Sequence, residues 1–233
     1  MRSHKEEAMT EYRNPPLTIE GTVLSRESTN TTALVRNTYV LLGMTLVWSA
    51  ALSVVGTQIA WSTLGMIACM VAGFGALFAT MYLRNSVWGL AAVFGFTGLM
   101  GLSLGPTLTH YLAMPNGGSL VTEAVGLTAL VTFGLSAYVV KSGRNFSRWG
   151  GFLFAGLITV LIASIAAIFI PAMQAAVAGA SALLFSGFIL FDTSRLVHGE
   201  EDNYIMATVS MYLNILNLFL ALLRLLGGFG SDD

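Results

Sequence analysis

The chain has 233 residues, 55% of them hydrophobic and 10% charged, against the roughly 25% charged of a soluble globular domain, which excludes an ordinary soluble protein. Eleven Lys and Arg against twelve Asp and Glu leave a net charge of −1. No basic surface is therefore available to neutralise a run of phosphates, and nucleic-acid binding is excluded.

Residues 1–33 mix Lys5, Glu6, Glu7, Glu11, Arg13, Glu20, Arg26 and Glu27 with Ser, Thr and the adjacent Pro15 and Pro16. That composition holds too little apolar surface to offset the entropy of ordering, and predicts a disordered arm. It also lacks the apolar core of a signal peptide, so the first span is expected to direct insertion. From 34 to 229, apolar runs of about 20 residues recur, each long enough to cross a hydrocarbon layer of about 30 Å. They predict an all-α integral membrane domain of seven transmembrane helices, near 36–59, 63–83, 87–112, 120–140, 149–170, 174–197 and 204–228, followed by a short tail at 230–233. The lipid bilayer is the implied surrounding.

Charge sets the orientation. Arg2, Lys5, Arg13, Arg26 and Arg36 precede span 1, Arg84 follows span 2, Lys141, Arg144 and Arg148 join spans 4 and 5, and Arg195 ends span 6. Ten of the eleven basic residues thus fall on one side, leaving only Arg224 near the far end of span 7. The positive-inside rule predicts a cytoplasmic N-terminus and, with seven spans, a periplasmic C-terminus. The side with the ten cations is called the basic rim below. RNSVWG at 84–89 and RNFSRWG at 144–150 both open odd-numbered spans on that side, where interfacial Arg and Trp are expected in any case.

Cys69, the single cysteine, lies in an apolar run and reads as packing; it allows neither an intrachain disulfide nor a cysteine metal set. Span 3 carries Gly95, Gly98, Gly101 and Gly105 before Pro106. Small residues let helices approach closely, and Gly105–Pro106 predicts a kink, either as packing or as a hinge. In span 7, Asn203, Ala207, Ser210, Asn214, Asn217, Ala221 and Arg224 recur at spacings of four and three, which places them on one helical face. Such a stripe avoids lipid, so span 7 is expected to be central, its polar groups either bonding other helices or lining a hydrated ion or proton path.

Asp192 sits near the rim end of span 6, in FDTSRLVHG. An ionised carboxylate there needs a partner, and Arg195 at i+3 and Asn214 of the next span are the two candidates. Together these three form a candidate pH-sensing or gating group. Glu123 near the start of span 4 is read as a helix cap or an outer ion ligand. His4, His110 and His198 share no ligand spacing, so no metal centre and no cofactor are expected. Neither HExxH, GxSxG nor a phosphate loop occurs, and an enzyme is not expected.

Five segments carry a family resemblance: VRNTYVLLGMTLVWSA at 35–50, FGFTGLMGLSLGP at 94–106, EAVGLTALVTFGLSAYVV at 123–140, LFDTSRLVHG at 190–199 and DNYIMATVSMYLNILNLFLALLRLLG at 202–227. With them the chain from about 34 to 229 resembles the BAX inhibitor-1, or transmembrane BAX inhibitor motif, family in its bacterial branch. The resemblance implies a seven-helix bundle with the last helix in the centre. It also implies a pair of aspartates on the sixth and seventh helices that share a proton and gate a pH-dependent calcium leak. Asp192 matches the first of these, whereas Asn214 stands at the second, and an amide neither ionises nor adds negative charge for a cation. A proton-linked switch is therefore better matched than a calcium pore. For the bacterial members most similar to this chain, the resemblance implies a modulator of the FtsH protease, associated with FtsH and its HflK/HflC partners as a slow substrate and competitor. The arm 1–33 would then serve as the segment the protease engages.

Overall fold

In a computed structural model, the described residues are 19–229, with side chains described from 31 to 228. Among them are eight α-helices: α1 (Ile19–Thr57), α2 (Thr63–Leu83), α3 (Trp88–Ser103), α4 (Gly105–Leu112), α5 (Gly117–Ser142), α6 (Gly150–Phe169), α7 (Gln174–Val197) and α8 (Tyr204–Phe229). With short 3-10 turns at Ser147–Trp149 and Pro171–Met173, they supply seven segments long and apolar enough to cross a membrane. Helix is the expected solution for a chain with few charges, because in lipid every backbone N–H and C=O must be satisfied within the segment.

Six of the seven expected spans are matched within a few residues, and the first differs. The first helix begins at Ile19, ahead of position 36 and inside the 1–33 segment read as a disordered arm; residues 1–18 of that segment lie outside the described residues. Extending a helix already anchored in the membrane costs far less than nucleating a new one. The third span, Trp88–Leu112, is interrupted at Leu104, beside the Gly105–Pro106 step where a kink is expected, with Pro106 in the first turn of α4, where its missing N–H needs no partner.

The other ends have local causes. Ser62 caps α2 by accepting from the Gly65 amide at 3.1 Å. Asn203 caps α8 by accepting from the amides of Ile205 and Met206, each at 3.1 Å. Gly143 stops α5 with φ 63°, and Gly199 follows α7 with φ 70°, a left-handed turn that glycine adopts without cost.

Burial ranks the helices. In α8, 56% of the most apolar stretch is buried, against 11% in α2 and in the segment of α6. Consequently α8 is the inner helix, packed against α1, α3, α5 and α7, while α2 and α6 turn most of their side chains outward. The core gathers Leu41, Phe96, Ile189, Leu196, Ile205 and Met211. Beside them Phe96 meets Tyr212 edge-on, with centroids 5.9 Å apart at 72°.

Close backbone approach joins α1 to α3 and α4. A Cβ on Gly101 would collide with the Ser49 carbonyl, and one on Gly105 with the Gly56 backbone. Both glycines are therefore contact points between helices, as the spacing in span 3 predicts.

Candidate functional site

Asp192 lies on α7 against α8, with 8% of its surface exposed. Its Oδ2 accepts from Ser210 Oγ at 2.6 Å and from Asn214 Nδ2 at 2.7 Å. Ser210 and Asn214 are one helical turn apart on the same face of α8, so a single helix presents both donors to one carboxylate oxygen. A carboxylate oxygen paired with two neutral donors is stabilised without a formal counter-ion. A small cavity bounded by Asp192, Arg195, Glu201, Ala207, Ser210 and Met211 opens beside the group.

Of the two candidate partners of Asp192, Asn214 bonds it and Arg195 does not pair with it. Arg195 Nη2 instead meets Glu201 Oε2 at 3.2 Å and donates to the Glu200 carbonyl at 3.4 Å, with its guanidinium 5.6 Å from the Phe191 ring centre. The reason is depth: Arg195 sits one turn nearer the rim, where a long cationic side chain extends its head outward. Asp192 already has two donors on the helix it faces. Arg195 and Glu201 therefore line the cavity as a pair of their own rather than neutralising Asp192.

The stripe on α8 divides by position. Asn203 leaves the helix face to cap its start, and its Nδ2 donates to the Arg84 carbonyl at 3.1 Å and to Asn85 Oδ1 at 2.8 Å. Ser210 and Asn214 bind Asp192. Asn217 donates at 2.8 Å to Leu213 O on its own helix, and Arg224 is exposed, so the expected inward stripe does not continue to the far end. An Arg near a helix end extends to the interface instead. Glu123 is also exposed. Because α5 starts at Gly117, that residue lies beyond the first turn, and the cap reading is corrected: no acidic residue occupies the first turn of α5.

Three polar groupings escaped the pattern of the sequence. The Tyr212 hydroxyl donates to the Thr97 carbonyl at 3.3 Å and lies 2.6 Å from Ser49 Oγ, linking α8 to α3 and α1. Thr193 Oγ1 stands 3.4 Å from the Tyr39 hydroxyl and 3.3 Å from Ser136 Oγ, linking α7 to α1 and α5. At the basic rim, Asn145, Ser194, His198 and Glu200 form a third. Single Ser, Thr and Tyr residues on mostly apolar helices give no periodic signal, which is why the first two were not legible; the third joins two loops far apart in sequence.

A family model described as inhibitor of apoptosis-promoting Bax1 matches residues 31–231. A membrane protein of Vibrio cholerae is 48% identical over 223 residues, covering 94% of this chain and all of its own length. Modulator of FtsH protease YccA from Escherichia coli K12 is 42% identical over 206 residues, 88% of this chain and 93% of its own. Its counterpart in Escherichia coli O6:H1, with the same identity and coverage, is named inner membrane protein YccA.

Proposed function

The chain belongs to the BAX inhibitor-1 family as a multi-pass inner-membrane protein, and from that membership we propose that it modulates the membrane-anchored protease FtsH. The observation that carries the proposal is the 42% identity with Modulator of FtsH protease YccA across 88% of the chain. In this reading the chain docks on FtsH and its HflK/HflC partners and competes with other membrane substrates. Its basic rim and N-terminal arm lie in the cytoplasm, as the placement of ten of the eleven cations favours. The arm is the segment an ATP-driven protease engages, and the bundle slows extraction through its packed inner helix. In-cell crosslinking followed by purification from membranes tests this. FtsH should be recovered with the full-length chain and with a chain lacking residues 2–33, the latter having the longer half-life. Recovery with neither form rejects the proposal.

A second reading, a pH-sensitive cation or proton leak past Asp192, is favoured by the cavity between the buried carboxylate and the Arg195–Glu201 pair. Asn214 weighs against divalent cations, because it points its amide donor at Asp192 and adds no charge. Flux from liposomes that changes between pH 5 and 8 and is altered by Asp192→Asn would favour it, and absence of flux would reject it.

A further inference from the structure

The end of α7 and the loop that follows it gather several parts of the basic rim. Ser194 Oγ accepts from the Phe146 amide at 2.7 Å, Asn145 Nδ2 donates to Glu200 Oε1 at 3.0 Å, and Asn203 holds Arg84 and Asn85. Thr31 of α1 comes up against Gly199: a Cβ there would lie 3.6 Å from Thr31 Oγ1. His198 stands at the centre of this arrangement.

Its two ring nitrogens face two carbonyl oxygens. Nδ1 lies 2.8 Å from Ser194 O and Nε2 lies 3.1 Å from Gly143 O, while the Ser194 hydroxyl, 3.5 Å from Nδ1, has the nearer Asn145 Oδ1 at 3.4 Å to donate to. A carbonyl oxygen only accepts, and a neutral imidazole carries one N–H. One of the two contacts would then set a nitrogen lone pair against an oxygen lone pair. Turning the ring over does not help, since it would place ring carbons where the nitrogens stand. Only the imidazolium donates to both oxygens. Each oxygen also belongs to a helix C-terminal end, Ser194 in the last turn of α7 and Gly143 at the cap of α5, where the helix dipole favours a cation.

The charged surroundings are mixed. On its own loop Glu200 is anionic, held below its ordinary range by Ser147 and Asn145, with His198 and Arg195 adding in the same direction. Arg195 on its own helix is taken up by Glu201. From α5 and the turn after it, the flanking charges are Lys141, Arg144 and Arg148; α1 brings Thr31.

We propose that His198 is a proton-operated clasp: charged, it bonds the end of α5 to the end of α7, and neutral, it releases one of the two. Histidine is the side chain that ordinarily changes charge between about pH 5 and 8, so the clasp follows the pH of the compartment the basic rim faces. Release loosens the 143–149 connection and the end of α7, one turn from the Arg195–Glu201 pair that lines the Asp192 cavity. The clasp is separate from Asp192 and does not rest on the protease reading.

Hydrogen exchange on the full-length protein in nanodiscs tests it, with rates corrected for intrinsic exchange. Protection across residues 143–149 should fall about fivefold from pH 6 to pH 8, the effect of one hydrogen bond. With His198→Gln it should be flat, and His198→Lys, which keeps a cationic donor, should also be flat and higher than His198→Gln at pH 8. The wild-type protein provides a readout that needs no variant: its 15N histidine spectrum should show this ring with both nitrogens protonated at pH 6. Equal wild-type protection at both pH values, an unchanged pH response in His198→Gln, or a ring with one bare nitrogen at pH 6 would each overturn the proposal.

Discussion

Two asparagines one turn apart on the same helix have opposite worth. Asn214 donates to a buried carboxylate on another helix, whereas Asn217 donates to a carbonyl four residues back on its own, a bond that adds little to helix stability. Asn214→Leu leaves Asp192 with one donor in a buried site, and should cost about 1–3 kcal/mol. Asn217→Leu should stay within about 0.5 kcal/mol of wild type. Thermal unfolding of both variants in the same detergent measures the difference, and equal costs would mean that Asn214 is not a working partner of Asp192. Glu200 gives a prediction in pH. Asn145 bonds it, and Ser147 stands close while its Oγ closes no bond of full geometry; together they hold the carboxyl below its ordinary 4.5. A depressed folded value means that the stabilisation is complete above the unfolded value and disappears as pH falls through the folded one. Solvent screening keeps it small at this exposed position. Below pH 6, exchange protection at residues 145–149 should therefore hold down to the ordinary carboxylate range and fall beneath it, and Glu200→Gln should remove that acid-side loss. Asp192 and Asn214 were legible in the sequence because a lone carboxylate in an apolar span demands a partner. The true role of Arg195 was not, since i+3 spacing says nothing of depth, and depth decided that it turns to Glu201.

Helix existence was legible wherever apolar runs were long and bounded by polar or Gly/Pro breaks. The span at 63–83 coincides with α2, and that at 174–197 with α7. The start of α1 was not, because a polar composition was read as disorder and the membrane-anchored helix next to it carries on to Ile19. Glycines in span 3 look alike in sequence yet differ in surroundings. A Cβ on Gly101 collides with the Ser49 carbonyl, while one on Gly95 meets nothing within 4 Å. Gly101→Ala forces α1 and α3 apart and should cost about 1–3 kcal/mol by overpacking. Gly95→Ala should be neutral or stabilising by about 0.5–1 kcal/mol, since alanine loses less freedom in a helix. Unfolding midpoints of the two variants decide the matter, and equal destabilisation would show that α1 and α3 do not meet at Gly101.

At the scale of the molecule, α8 is both the most buried helix and the one that presents Ser210 and Asn214 to Asp192. Its core contacts and its site contacts thus strengthen together: Tyr212 ties it to α1 and α3, and Asn214 ties it to α7. A protease that pulls from one end must break this inner helix away from the helices packed around it. In the proposed reading, that packing slows extraction and lets the chain occupy a protease that would otherwise turn over other membrane proteins. The central claim is tested most directly by the half-life of a second FtsH-dependent membrane substrate in cells with and without this chain. The account predicts that the substrate lives longer when the chain is present and that the extension is lost when residues 2–33 are replaced by a tightly folded domain. An unchanged half-life, with the chain present in the membrane at the level of the protease, would contradict it.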